Sequence, residues 1–326
     1  MRKIAAVFLL LLLLCGCGSD VTLPPAQSRE TVAVTVPPVT VPPEAATEAT
    51  ALAEAPSPPV GVVLTAEPSG ELENRCDDAV IDYSHTEDGY VMARYTGQTD
   101  KRLKLRVIGP ATTYTYNLPV DQWTVFPLSD GNGLYQVAVY INTYDTKYAL
   151  VMTAQFDVEL TDEFAPFLRP NQYVDYTDAG NTVKKGAEIC AGLTDPLEKV
   201  AAVYDFVVST LHYDKERAAT VKSGYLPVLD AVLAEEKGIC FDYAALMTAM
   251  LRTQEVPCKL VVGYAGQTYH AWISVWTEEN GWVDGAIFFD GHAWKRMDPT
   301  FASSQMRSAE IMEFIENGTY TVKYLY

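Results

Sequence analysis

The spacing of apolar residues changes between the first and second parts of this chain, and the change restricts the fold more than any other feature. From Val63 to Asp162 apolar residues recur at every second position, the repeat of a strand with one buried face. In "KRLKLRV", Leu103, Leu105 and Val107 alternate with Arg102, Lys104 and Arg106, while "GLYQVAVYIN" and "KYALVMTAQFDVEL" are rich in β-branched and aromatic residues. Turn formers such as Ser129-Asp130-Gly131-Asn132-Gly133 separate the runs. Short strands at this spacing predict an antiparallel β-sandwich at residues 63–165. From Asp195 the repeat lengthens to three or four. In "GLTDPLEKVAAVYDFVVSTLHYD", Asp195 suits an N-cap, Pro196 the first helical position and Glu198 a capping box. Val200, Val203, Val207 and Leu211 then line one apolar face. The expected class is α+β, with the N-terminal β-sandwich followed by an α+β domain at residues 166–326.

The residues before this body cannot build a core. "MRKIAAVFLLLLLLCGCGSD" places Arg2 and Lys3 ahead of an apolar run from Ile4 to Leu14. A bilayer span needs about 20 apolar residues, so the run suits a signal peptide instead. Leu14-Cys15-Gly16-Cys17 resembles a bacterial lipobox. The resemblance implies a signal at residues 1–16, a lipid on Cys17, and a protein anchored at the outer face of the cytoplasmic membrane. Residues 17–62 include "VPPVTVPPEAATEATALAEAPSPPV", where Pro-Pro pairs favour extended polyproline II. A disordered tether is expected there, holding the globular body off the membrane.

Charge and cysteine usage narrow the function classes. With 24 Lys+Arg against 42 Asp+Glu the net charge is −18, which argues against nucleic acid as a partner. Cys15 leaves with the signal and Cys17 carries the lipid, so Cys76, Cys190, Cys240 and Cys258 remain. No C-x-x-C pair occurs, and neither a metal nor a cofactor is expected. A Cys76–Cys190 bridge is open to an oxidising compartment. Cys258, within an apolar run, reads as a buried structural residue.

"EEKGICFDYAALMTAMLRTQ" sets Cys240 where a helical pattern begins, with Phe241, Ala244, Ala245, Thr248 and Leu251 spaced to face a core. A thiol at a helix N-terminus sits among unpaired N–H groups and the positive end of the dipole, which favour the nucleophilic thiolate. A small buried cysteine would fit the pattern equally well. A nucleophile needs a base, and the chain has four histidines. His85 falls in the sandwich, and His212 near a helix C-terminus needs no catalytic duty. His270 and His292 each open a His-Ala-Trp triplet.

On a strand "HAWISVW", His270, Trp272, Ser274 and Trp276 share one face. Asp298 is the candidate to orient a base. His292, six residues before it on one strand, would lie roughly 20 Å away at ~3.3 Å per residue. His270 can meet Asp298 if the strands pair antiparallel with Trp272 opposite Arg296 and Ser274 opposite Trp294. His270 is therefore the candidate base and His292 an exposed hairpin residue. That register requires "TEENGWVDGAIFFDG" to fold outward, where Trp282 and Phe288 would wall a cleft or pack on the β domain.

"GICFDYA", "YHAWISVW" and "RMDPTF" resemble, in order, the three core motifs of the transglutaminase-like superfamily. "PFLRPNQYV" and "NGTYTVKYLY" also resemble secreted, lipid-anchored bacterial members with an N-terminal β domain. The resemblance implies a papain-like fold after the sandwich, with Cys240 as nucleophile, His270 as base and Asp298 as orienting acid. It also implies that Asp242 and Tyr243 support the helix start and cleft; the plain alternatives are a first-turn acid favoured by the dipole and a partly buried tyrosine. Trp272 either shields the site from water or fills core. The expected function is amide acyl transfer to water or to an amine, on protein or peptide substrates of the cell envelope. The competing expectation is a catalytically silent binding or structural protein that retains the fold.

Overall fold

The computed structural model describes residues 60–278, 281–284, 287–289, 294–296 and 320–326. Cys17, the leader and the tether to residue 59 lie outside the described residues, as do His292 and Asp298.

The period-two region forms eight strands: β1 (Glu73–Arg75), β2 (Ala79–Asp82), β3 (Tyr90–Tyr95), β4 (Leu103–Ile108), β5 (Thr113–Asn117), β6 (Thr124–Pro127), β7 (Gly133–Tyr144) and β8 (Lys147–Val158). They make two four-stranded antiparallel sheets, ordered β1-β2-β3-β6 and β5-β4-β7-β8. Leu103, Leu105 and Val107 are buried while Lys104 and Arg106 between them stay half-exposed, as the alternation requires. Tyr116 of β5 meets Phe126 of β6 edge-on at 5.1 Å, joining the sheets across one core. In the turn before β7, the Asp130 carboxylate accepts the Ala111 and Thr112 N–H groups at 3.0 and 2.6 Å and the Tyr114 hydroxyl at 2.8 Å.

After a short 3₁₀ turn at Ala165–Phe167 come α1 (Asn181–Ile189), α2 (Pro196–Thr210), β9 (His212–Tyr213), α3 (Lys215–Thr220), α4 (Leu229–Glu235), β10 (Lys237–Gly238) and α5 (Cys240–Arg252). The chain then gives β11 (Cys258–Ala265), β12 (Thr268–Thr277), β13 (Gly281–Asp284), β14 (Ile287–Phe289), β15 (Trp294–Arg296) and β16 (Tyr320–Leu325). Asp195 caps α2 by accepting the Leu197 N–H at 2.7 Å, and Val200, Val203, Val207 and Leu211 are buried as their spacing predicts. An antiparallel sheet ordered β13-β12-β11-β16 carries α5 against β11 and β12, and α1, α2 and α4 pack on α5.

With neighbours on so many sides, α5 is not the one-faced helix that its spacing suggests. Every residue from Asp242 to Arg252 is buried. Arg252, 1% exposed, donates to the carbonyls of Cys258, Arg169 and Tyr326 at 2.9, 2.7 and 2.6 Å, so each guanidinium nitrogen is used. The sandwich packs on this domain through rings: Tyr326 stands edge-on to Tyr114 and Tyr116, and Tyr173, 4.0 Å from Tyr326, lies 5.5 Å from Tyr116. Val62 N–H donates to the Thr253 carbonyl at 2.8 Å, so the last residues of the expected tether also lie on the second domain.

The Cys76–Cys190 bridge is not formed. Both thiols are free: Cys76 lies in the sandwich, 3.9 Å from the Met152 sulfur, and Cys190 ends α1.

Candidate active site

Cys240 owes its place to a small parallel ladder. His212 N–H donates to the Glu236 carbonyl and Asp214 N–H to the Gly238 carbonyl, both at 2.8 Å, pairing β9 with β10. Glu236 ends α4 in the left-handed region at φ +51°, which turns the chain into that ladder. A Cβ on Gly238 would lie 2.6 Å from the Asp242 Cβ, so only glycine lets the segment close over the helix start. Ile239 is extended as N-cap, and half-buried Cys240 is the first residue of α5.

The first turn is held by Asp242, whose side chain is fully buried. Its Oδ2 accepts the Ile239 N–H at 2.8 Å, satisfying a donor that the helix itself cannot. Its Oδ1 accepts the Tyr225 hydroxyl at 2.7 Å, and Arg217 Nη1 stands 3.7 Å from Oδ2. Burial pushes the Asp242 carboxyl above the usual carboxylate range, and Tyr225, the Ile239 N–H and Arg217 pull the other way. The sequence carries no signal for Tyr225 or Arg217, since the Tyr225 contact spans 17 residues. Tyr243 is fully buried beside Asp242.

His270 lies on β12 opposite Gly263 of β11, 5% exposed, with its ring 6.3 Å from that of Trp272. On this strand Ala271, Ile273 and Val275 join the core that α5 shares. His270, Trp272 and Ser274 form the alternate set and are buried as well. Trp272 is 1% exposed and stands edge-on to Tyr320 at 5.1 Å, packed as a core residue. Helix α5, which begins with Cys240, and strand β12, which carries His270, are neighbours, and the residues that β12 gives to the core shared with α5 are Ala271, Ile273 and Val275. Beside Cys240, Phe241 tilts towards Tyr173 at 6.0 Å, and beside His270, Tyr269 is 55% exposed and pairs edge-on with Tyr264.

The expected strand register is not adopted. Ser274 lies opposite Asp284 and Trp276 opposite Trp282, because β13, from within the insertion, takes the free edge of β12. Trp294–Arg296 pairs instead with Ile287–Phe289 in a separate two-stranded ribbon. The physical reason is closure: Gly281 pairs with Thr277 only four positions on, whereas a return from Trp294 must close a longer loop. Trp282 packs on Phe164 and Phe167, with Lys259 Nζ 3.4 Å from its ring centroid. It is therefore bound up with the 3₁₀ turn that follows the sandwich. Cys258, fully buried, has its thiol pushed up to about 11 by burial. Among the described residues no group of three His, Cys, Asp or Glu side chains could hold a metal ion.

Residues 184–285 match the model of the transglutaminase-like superfamily. The chain carries a transglutaminase-like domain. The match holds Cys240 and His270 with the helix and strand that bear them, and Asp298 lies beyond it. Among solved structures, the chain is similar to a candidate cysteine protease from Cytophaga hutchinsonii at 15% identity, over 65% of this chain and 67% of that one, with a TM-score of 0.33. It is similar to a TGase at 16% identity over 55% and 48%, with a TM-score of 0.28. It is also similar to red sea bream transglutaminase at 13% over 72% and 56%, with a TM-score of 0.26. The chain thus spans about half the length of the two transglutaminases it matches. No curated protein matches the sequence.

Proposed function

We propose that the protein is a thiol enzyme acting on amide bonds by acyl transfer, with Cys240 as nucleophile and His270 as base; Asp298 enters as the orienting acid through the resemblance of "RMDPTF" to the family motif, not through the strand register, which is not adopted. The observation that carries this reading is a half-buried thiol at the first position of α5, on a helix packed against the strand that bears a buried histidine within a transglutaminase-like domain. Cys240 Sγ attacks the amide carbonyl, the carbon–nitrogen bond breaks, and His270 gives its proton to the departing amine. The Cys240 backbone N–H is one donor to the oxyanion. The acyl group leaves the thioester for water, regenerating the thiol in a hydrolysis, or for a second amine, giving a cross-link. The leader ending in Cys17 supports work outside the cytoplasmic membrane on a lipid anchor. Proteins or peptides of the envelope are then the substrates within reach.

The test is iodoacetamide alkylation of the full-length chain, followed on the Cys240 peptide by mass spectrometry. Rapid alkylation persisting to about pH 6 is expected, lost in His270→Ala and kept in His292→Ala. Slow alkylation in all three proteins, rising only near about pH 8.5, would transfer the case to a non-catalytic binding protein.

A further inference from the structure

Asp242 has more partners than a helix start requires. The bond from the Ile239 N–H is enough to close the first turn. The carboxylate nevertheless takes the Tyr225 hydroxyl on its other oxygen and lies beside Arg217. Neither partner is on α5: Arg217 belongs to α3, and Tyr225 to the loop between α3 and α4. Arg217 also reaches Glu235 at 3.1 Å and Asp214 at 3.6 Å, and Lys237 lies 3.2 Å from Asp214. Charges from α3, α4 and β10 thus meet at one point beneath the helix start. The Tyr225 ring also stands edge-on to Phe241, 6.3 Å away, the residue next to Cys240. The Val221–Gly224 stretch before it is exposed, so this loop is anchored at the first turn of α5 by that ring and its hydroxyl.

We propose that Tyr225 and Arg217 are positioning residues for Cys240, acting through Asp242. The proposal rests on the reading of Cys240 as the nucleophile. A carboxylate without exposed surface stays ionised and oriented only while its partners hold it. Asp242 in turn fixes the N–H of Ile239 and with it the direction of the first turn. Cys240 is the first residue of that same turn, so its thiol and the N–H groups of the turn are placed together. Removing the Tyr225 hydroxyl or the Arg217 charge releases Asp242, and the thiolate loses its aligned donors.

The experiment compares alkylation rates of Cys240 at about pH 6, where only an activated thiolate reacts, and about pH 9, where every accessible thiol does. Their ratio separates ionisation from access. Fully buried Cys258 serves as an internal reporter, since it is labelled only when the domain opens. The ratio is expected to fall on the order of tenfold in Tyr225→Phe and in Arg217→Ala, the scale of one hydrogen bond to a charged group. Arg217→Lys recovers part of the loss, and Cys258 stays unlabelled throughout. In an Asp242→Asn background, Tyr225→Phe adds nothing, because both act along one path. An unchanged ratio in Tyr225→Phe, additive effects with Asp242→Asn, or labelling of Cys258 in Tyr225→Phe each overturns the proposal. A wild-type protein that lacks rapid reaction at about pH 6 overturns the nucleophile reading itself, which is a separate outcome.

Discussion

Gly263 has a hydrogen where any other residue would drive a Cβ into the Thr321 carbonyl oxygen and to 2.9 Å from the Trp272 indole. Backbone on one side and a 1% exposed ring on the other leave nowhere to move. Gly263→Ala is expected to destabilise the protein by about 1–3 kcal/mol, the usual cost of overpacking, read as a lowered urea midpoint at unchanged slope. An unshifted midpoint would show that β16 can stand off from β11. Arg252 makes the opposite case, a charge held entirely by backbone. Arg252→Met keeps its volume but takes the guanidinium donors from the carbonyls of Cys258, Arg169 and Tyr326, of which Tyr326 keeps the Leu260 N–H. A loss of about 3 kcal/mol or more is expected from the same measurement. Few of these contacts are legible in the sequence, because every partner but Cys258 and Trp272 is distant along the chain.

Helix α1 shows how one element supplies what another lacks. Its N-cap is Gly180, which offers no side-chain acceptor. Asp230 of α4 does the work from 48 residues away, taking the Asn181 N–H at 2.9 Å and the Thr182 N–H and hydroxyl at 2.8 Å. Burial raises the Asp230 carboxyl, but the Thr182 and Asn181 N–H groups outweigh it and the net shift is downward. A depressed folded value means stability that is present above the unfolded value of about 3.9 and lost as pH falls through the folded one. Asp230→Asn should therefore cost about 1 kcal/mol at neutral pH, with a gap to wild type that closes below about pH 4. Thermal melts across that range check it, and a gap independent of pH would remove the carboxylate from the account. Helix α2, capped by its own Asp195, was readable because cap, first-turn proline and apolar stripe are all local.

At the scale of the molecule, the sandwich and the transglutaminase-like domain share one compact unit, Pro56–Tyr326. Tyr326 of the second domain lies among Tyr114, Tyr116 and Tyr173, and Tyr173 also gives its hydroxyl to the Thr115 carbonyl at 3.0 Å. The Gln172 side chain accepts the Asn117 N–H and donates to the Asn117 carbonyl, both at 2.8 Å. With rings and backbone joined across the boundary, the two domains are expected to unfold in a single calorimetric transition. Tyr173→Ala should divide it into two. Two transitions in the wild type would mean that the shared rings contribute little.

Local information settled much of this protein. The switch in apolar period from two to between three and four determined an antiparallel sandwich ahead of an α+β domain. The Gly238-Ile239-Cys240 stretch marked the start of α5, and strand alternation placed His270 with Trp272 and Ser274. These features depend on residues within a turn or a strand of one another, where backbone geometry leaves few choices. What only the tertiary structure decided is which edge meets which. It gave the edge of β12 to β13 rather than to the Trp294 strand, buried α5 on all sides, and brought Tyr225 and Arg217 to Asp242. Pairing and packing are chosen by competition among segments far apart in the chain. Loop closure and shape complementarity decide that competition, and neither is written in the pattern of any single segment.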